Sequence, residues 1–304
     1  MVDVILQAAA LIACGVLWRV LTPLGLEAEQ VRRSLTGVVY VLLLPALVLL
    51  VLWQASLGLD SVRIAVSAAA AVGLGLLAAW LWFRRGAQPN RVVGALLLAA
   101  AFPNATYLGL PVLEATFGPW ARSVAIQYDL LACTPLLLSV GVALAAWYGG
   151  GGQKEHPLLA LLKVPPLWAA LAGITLNLAQ APLPAIVGSW LDMLGSGVVP
   201  LMLFSLGLGL RWAGTWHHQI PLVLPVAIIQ LLLVPLLIWG LAAGLGLEGQ
   251  VLAAVVLEAA MPSMVLGIVL CDRYHLDTGL YAMTVTVTTV LCMVTLPLWF
   301  AWLS

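Results

Sequence analysis

Charge is what this sequence has least of. Asp, Glu, Lys and Arg make up 8% of its 304 residues, against about 25% in a soluble domain. So little charge cannot cover a water-facing surface. Acidic and basic residues balance at 12 each, which argues against a nucleic-acid partner. There are four cysteines, Cys14, Cys133, Cys271 and Cys292, none in a CxxC pair; they read as small apolar residues. The chain has no HExxH, no GxSxG, no P-loop and no Cys/His cluster. An ATP-driven pump lacks its nucleotide machinery here, and an enzyme lacks a catalytic constellation. The expectation is a protein that is not an enzyme and has no cofactor or protein-built metal centre. Gly244–Gly249 matches GxGxxG in form, but it follows an apolar run of helical length rather than a strand, so the dinucleotide reading fails. Met1-Val2-Asp3 has no positive n-region before its apolar run, so the first segment is expected to remain as a helix.

What is there is apolar sequence. Hydrophobic residues reach 63%, in runs near the ~20 residues that span a bilayer. The pattern predicts an all-α integral membrane protein of about ten transmembrane helices. Their expected extents are 3–22, 35–55, 62–83, 91–116, 122–148, 158–179, 185–211, 219–245, 249–272 and 278–303. Tryptophans such as Trp18, Trp53, Trp120, Trp147 and Trp190 fall near segment ends, where an interfacial aromatic belt belongs. With this alternation Arg19, Arg32, Arg33, Arg84, Arg85, Arg91, Lys154, Lys163, Arg211 and Arg273 share one side, against Arg63 and Arg122 on the other. The positive-inside rule then puts both termini on the non-cytoplasmic side of the inner (plasma) membrane.

Two proline-centred breaks interrupt long apolar runs: Phe102-Pro103-Asn104-Ala105-Thr106-Tyr107-Leu108-Gly109-Leu110-Pro111, and Ala260-Met261-Pro262-Ser263-Met264. They occupy corresponding places in the two halves. Thr36-Gly37-Val38-Val39 and Ser196-Gly197-Val198-Val199 repeat at nearly the same offset. The chain therefore divides into a first five-helix repeat, 1–148, a joint, 149–157, and a second repeat, 158–304. An odd helix number per repeat inverts the second copy, and helices 4 and 9 become the broken, crossed pair. A break in hydrocarbon is tolerated only where it is buried in protein or lines a cavity. Half-helix ends there present N–H groups on one side and carbonyls on the other. The reading is a secondary transporter.

Ionisable residues at membrane depth are functional hypotheses by default. Glu258 lies one turn before Pro262 and could bind sodium with freed carbonyls or carry a proton. Asp129 is either a coupling residue or the partner of Arg122 in a structural ion pair. Asn104 has donor and acceptor capacity beside the first break. Glu114 reads as solvated, Asn177 and Gln230 as bonds to neighbouring helices.

These residues resemble the auxin efflux carrier family, whose bacterial members include malonate and other carboxylate permeases. The likeness rests on Pro103-Asn104 followed by Gly109-x-Pro111 and Glu114-Ala115-x-Phe117-Gly118. In the second half it rests on Glu258–Ser263 and on Tyr274–Asp277, with Phe204–Gly207 family-like as well. The resemblance implies a homodimer, a scaffold of helices 1, 2, 6 and 7, and a transport domain of the other six that moves as an elevator. It implies a small organic anion whose carboxylate meets Asn104, Pro103, Thr106 and Gly109 from the first break and Met261, Pro262 and Ser263 from the second, with Met264 also shaping the pocket. Glu258 and Asp129 would couple a cation. The more distant bile-acid:sodium symporters are similar in architecture and have a sodium-liganding acid near the place of Glu258, so a sodium ion there is one expectation and a proton another. A cation/proton antiporter of the same architecture is the alternative within transport.

Overall fold

The computed structural model describes residues 2–86, 88–150, 162–210 and 216–303. Lys154, Arg211 and positions 151–157 of the joint lie outside the described residues. Twelve helices follow one another among the described residues: α1 Val2–Leu21, α2 Ala28–Gln54, α3 Leu59–Phe83, α4 Asn90–Ala101 and α5 Leu110–Phe117. Next come α6 Ala121–Gly149, α7 Pro165–Leu178, α8 Ala185–Gly209 and α9 Gln219–Gly244. The chain closes with α10 Gly249–Ala259, α11 Gly267–Arg273 and α12 Thr278–Leu303. Six of these, α2, α3, α6, α8, α9 and α12, are long and apolar enough to cross a membrane, and shorter apolar helices accompany them. No strand occurs among the described residues; one isolated antiparallel bridge pairs Pro103 with Ser263.

α2 begins seven positions before the expected 35. Glu29 explains the extension, since it pairs with Arg32 at 2.7 Å and Arg33 at 3.0 Å and so supports a polar first turn at i+3 and i+4. Within the long helices, wide π turns at Val39–Leu43, Ala105–Gly109, Asp129–Cys133 and Ile229–Leu233 precede Pro45, Pro111, Pro135 and Pro235. Proline has no N–H and its ring strikes the carbonyl four residues back; a wider turn makes the room. The carbonyl that Pro235 frees is that of Leu231, and the Trp299 indole N–H donates to it at 2.8 Å.

The helices pack as two groups. α1 lies on α8, and α2 on α7 and α8. Glycines let the first of these crossings close up: a Cβ at Gly207 would strike the Ile12 carbonyl, and one at Gly15 the Phe204 carbonyl, the small-residue contact that membrane helices favour. Arg19 donates to the Leu208 carbonyl and the Asn177 amide to the Trp53 and Ala55 carbonyls. In the other group α3 packs on α4 and α9, α10 on α9 and α6, and α12 on α4, α9 and α11. Ala95–Ala101 of α4 and Ala253–Ala259 of α10 are buried throughout, as helices apolar on all faces must be. They run head-on into the two breaks at the centre of this group.

Asp277 donates its backbone N–H to the Arg91 carbonyl, tying the start of α12 to that of α4; Arg63 reaches the Gly246 carbonyl just beyond α9, and Arg122 reaches Glu114 and Asp192.

Candidate functional site

The two breaks meet as a short antiparallel crossover. The Asn104 N–H donates to the Pro262 carbonyl at 2.8 Å and the Met264 N–H to the Phe102 carbonyl at 2.9 Å. Proline suits positions 103 and 262 because neither needs a donor there, and a residue with an N–H would leave it unpaired in an apolar interior. Further hydrogen bonds tie the junction to neighbouring helices. Ser263 Oγ donates to the Ala99 carbonyl at 2.6 Å and its N–H donates to Thr288 Oγ1 at 3.2 Å. Gln230 Nε2 donates to the Met261 carbonyl at 3.0 Å, and the Tyr281 hydroxyl to the Met264 carbonyl at 2.9 Å. The junction is thereby held to three helices, α4, α9 and α12.

One face of the junction borders a cavity of about 70 Å³ lined by Tyr40, Asn104, Thr106, Tyr107, Asp129 and Met264, with aliphatic neighbours. At ~15 Å³ per water this holds on the order of five water molecules. Asn104 is 2% exposed and its Nδ2 has no partner among the described residues. A buried amide donor left without an acceptor is costly, and this one stands at the start of the half-helix formed by the π turn Ala105–Gly109 and α5. Helix geometry leaves the N–H groups of Ala105, Thr106 and Tyr107 without intrahelical acceptors. Asp129 accepts hydrogen bonds from the hydroxyls of Thr106 and of Thr134, the latter at 2.9 Å.

Glu258 sits elsewhere. It is 0% exposed, is absent from the cavity wall, and neither carboxylate oxygen has a partner. Gly109 presses its backbone against that carboxylate so closely that a Cβ would overlap it. The Asp129 carboxylate lies within electrostatic reach of Glu258, and the Tyr128 hydroxyl, also unpartnered, lies nearby. Among the described residues no group of three or more His, Cys, Asp and Glu could hold a metal ion.

A larger vestibule of about 710 Å³ opens at the other end of the bundle, lined by Gln54, Asp60, Arg122, Gln127 and Asp192 among others. Both hollows lie along the seam between the two helix groups: α2 and α7 or α8 on one side, the crossover and α6 on the other. The cross-helix hydrogen bonds given above fall within one group or the other. Across the seam runs the ion pair of Arg122 with Asp192, at 3.7 Å.

Of the residues the sequence singled out, Asn104, Thr106 and Asp129 line the cavity. Pro103, Pro262 and Ser263 form the crossover behind it, and Gly109 buttresses Glu258. Met261 is fully buried and is not in the wall of this cavity, while Met264 does line it. The Arg122 alternative for Asp129 is overturned: Arg122 pairs with Glu114 and Asp192, because α6 turns Asp129 toward the break and Arg122 toward the vestibule. Glu114 is correspondingly half-buried in that pair rather than solvated. Thr134, Tyr40, Thr288 and Tyr281 were missed. Polar residues repeated along apolar helices, as in Thr284, Thr286, Thr288 and Thr289 of α12, are the signal that could have found the last two.

The sequence profile described as "membrane transport protein" matches residues 5–300. The chain is 33% identical over 299 residues to an uncharacterized transporter of Methanothermobacter thermautotrophicus, covering 98% of this chain and 96% of that one. It is 25% identical over 309 residues to the uncharacterized transporter MJ1031 of Methanocaldococcus jannaschii, covering 98% and 97%. To the uncharacterized transporter YfdV of Escherichia coli K12 it is 24% identical over 210 residues, 66% of this chain and 65% of that one. The chain belongs to this membrane transport family, the family of the auxin efflux carriers.

Proposed function

We propose that this membrane transport family member is a secondary carrier of small organic anions, with the carboxylate bound at the crossover cavity. One observation carries the reading: the Asn104 amide, buried and without an acceptor, faces a small cavity beside a half-helix N-terminus. Free N–H groups and the positive end of the helix dipole favour an anion there without any formal charge. Pro103, Pro262, Ser263 and Met261 hold the backbone that presents these groups, and Thr106 and Gly109 complete the turn.

The same geometry supports alternating access. In this proposal the chain forms ten membrane spans in two inverted five-helix repeats, α4–α5 and α10–α11 each being one broken span. The group of α1, α2, α7 and α8 would be the scaffold, and the group that holds the crossover the moving, elevator-like domain. The seam supports this, since two hollows lie along it and one ion pair is described across it. A homodimer formed through the scaffold, a place in the inner (plasma) membrane and both termini on the non-cytoplasmic side complete the proposal. Glu258 and Asp129 are the groups that would couple a sodium ion or a proton.

Counterflow in proteoliposomes tests the reading. In a panel of propionate, lactate and malonate, vesicles preloaded with at least one unlabelled acid should accumulate that acid's labelled form faster than empty ones, and Asn104→Ala should raise the half-saturating concentration. Equal uptake for every acid with and without preload would refute it. A cation/proton antiporter is the second reading, favoured by two buried acids and, among the described residues, no basic residue at the cavity. It predicts cation-driven proton movement in vesicles that exchange no carboxylate.

A further inference from the structure

We propose that Asp129 receives a proton when substrate binds, so that the crossover cavity takes a monocarboxylate together with one proton and rejects dicarboxylates. This rests on the carboxylate reading above. Among the described residues Asp129 is the one acid in the cavity wall, and no Lys, Arg or His stands there. Its two oxygens accept from Thr106 and Thr134, which fixes the carboxylate beside the turn carrying the free Asn104 amide. A ligand carboxylate drawn to that amide shares a hollow of about 70 Å³ with Asp129. Two carboxylates so close hold one proton between them, as O–H donating to O⁻.

The groups facing Asp129 do not change this balance. Tyr40 comes from α2, Tyr107 from the first break, Cys133 from its own helix and Glu258 from α10. α3 has no titratable residue between Arg63 and Arg84, and α7 has none at all. The proton therefore comes from solvent at one face and returns to solvent at the other, so a monoanion and its proton cross as a neutral pair. A second carboxylate on the ligand would face Leu44, Leu137, Leu138 and Pro166 with nothing to neutralise it. The same aliphatic wall suits a short apolar body.

Binding of labelled propionate, ethanesulfonate and malonate to purified protein from pH 5 to 8 provides the test. Ethanesulfonate stays anionic throughout, so a pH slope with it reports the protein's group and not the ligand's. The expected result is a wild-type affinity that falls by up to about tenfold per pH unit for ethanesulfonate, with no binding of malonate. Asp129→Asn, its fold checked by an unchanged melting temperature, should bind ethanesulfonate with no slope. A wild-type affinity flat with pH, a slope that persists in Asp129→Asn, or preference for malonate overturns the inference while the carboxylate reading stands. Failure of every ligand to bind at any pH overturns both. The ethanesulfonate slope needs no variant, so a misfolded Asp129→Asn leaves it decisive.

Discussion

Gly109→Ala is the substitution whose outcome the packing dictates most sharply. A Cβ at this position would stand 2.7 Å from Glu258 Cδ, with the carboxylate oxygens nearer still. Carbon atoms rest at about 3.5–4.0 Å, so something must move by roughly 1 Å. Glu258 is fully buried, so its carboxylate cannot retreat into solvent. Overpacking of this kind costs about 1–3 kcal/mol, offset by up to about 1 kcal/mol that alanine gains over glycine in a helical turn. The net loss should be about 1–2 kcal/mol. At roughly 2 °C per kcal/mol for a chain of this size, the melting temperature of the detergent-solubilised protein falls by about 2–4 °C. Glu258→Ala removes the obstruction together with two unpartnered carboxylate oxygens. In that background Gly109→Ala should cost nothing and gain up to about 1 kcal/mol from helix propensity, an interaction energy of about 1–3 kcal/mol. If Gly109→Ala lowers the melting temperature equally in both backgrounds, the Gly109–Glu258 contact does not exist as described.

Other consequences follow from the packing. Gly207→Val would push a side chain into the Ile12 carbonyl, where backbone on both sides cannot yield; a loss of about 3 kcal/mol should appear as a melting temperature lower by more than 5 °C and a broadened size-exclusion peak. Trp299→Phe leaves the Leu231 carbonyl without its donor and should cost about 1 kcal/mol. With Pro235→Ala, which restores a backbone N–H in reach of that carbonyl, thermal unfolding should show about half that cost.

Much of the architecture was legible because it depends on length and on breakers. Runs of apolar residues bounded the helices to within a few positions at most ends, and Pro103 and Pro262 marked both interruptions. The start of α2 was misplaced because hydropathy does not see Glu29 bridging Arg32 and Arg33. Which side chains meet across helices was harder to read. A helix that is apolar all round, such as α4 or α10, has no periodic stripe to fix its rotation. For the same reason Asp129 could not be separated from Arg122 until α6 was oriented, and Gln230 could be read as a helix-to-helix bond without showing that its target is the loose Met261 carbonyl. Glu258 was conspicuous by its charge alone, yet its withdrawal behind Gly109, away from the cavity wall, is visible only in three dimensions.

The central claim is that a carboxylate occupies the crossover cavity. Leu138 lines that cavity, is half-buried and donates no side-chain hydrogen bond, so Leu138→Cys in a Cys14→Ala background gives a reporter that leaves the polar groups intact. The most direct measurement is the rate at which a small maleimide alkylates Leu138→Cys in membranes, with and without a transported carboxylate. The account predicts that saturating carboxylate slows labelling severalfold and that Asn104→Ala shifts the protecting concentration upward. Labelling that proceeds at the same rate while the same protein carries out carboxylate exchange would place the substrate elsewhere.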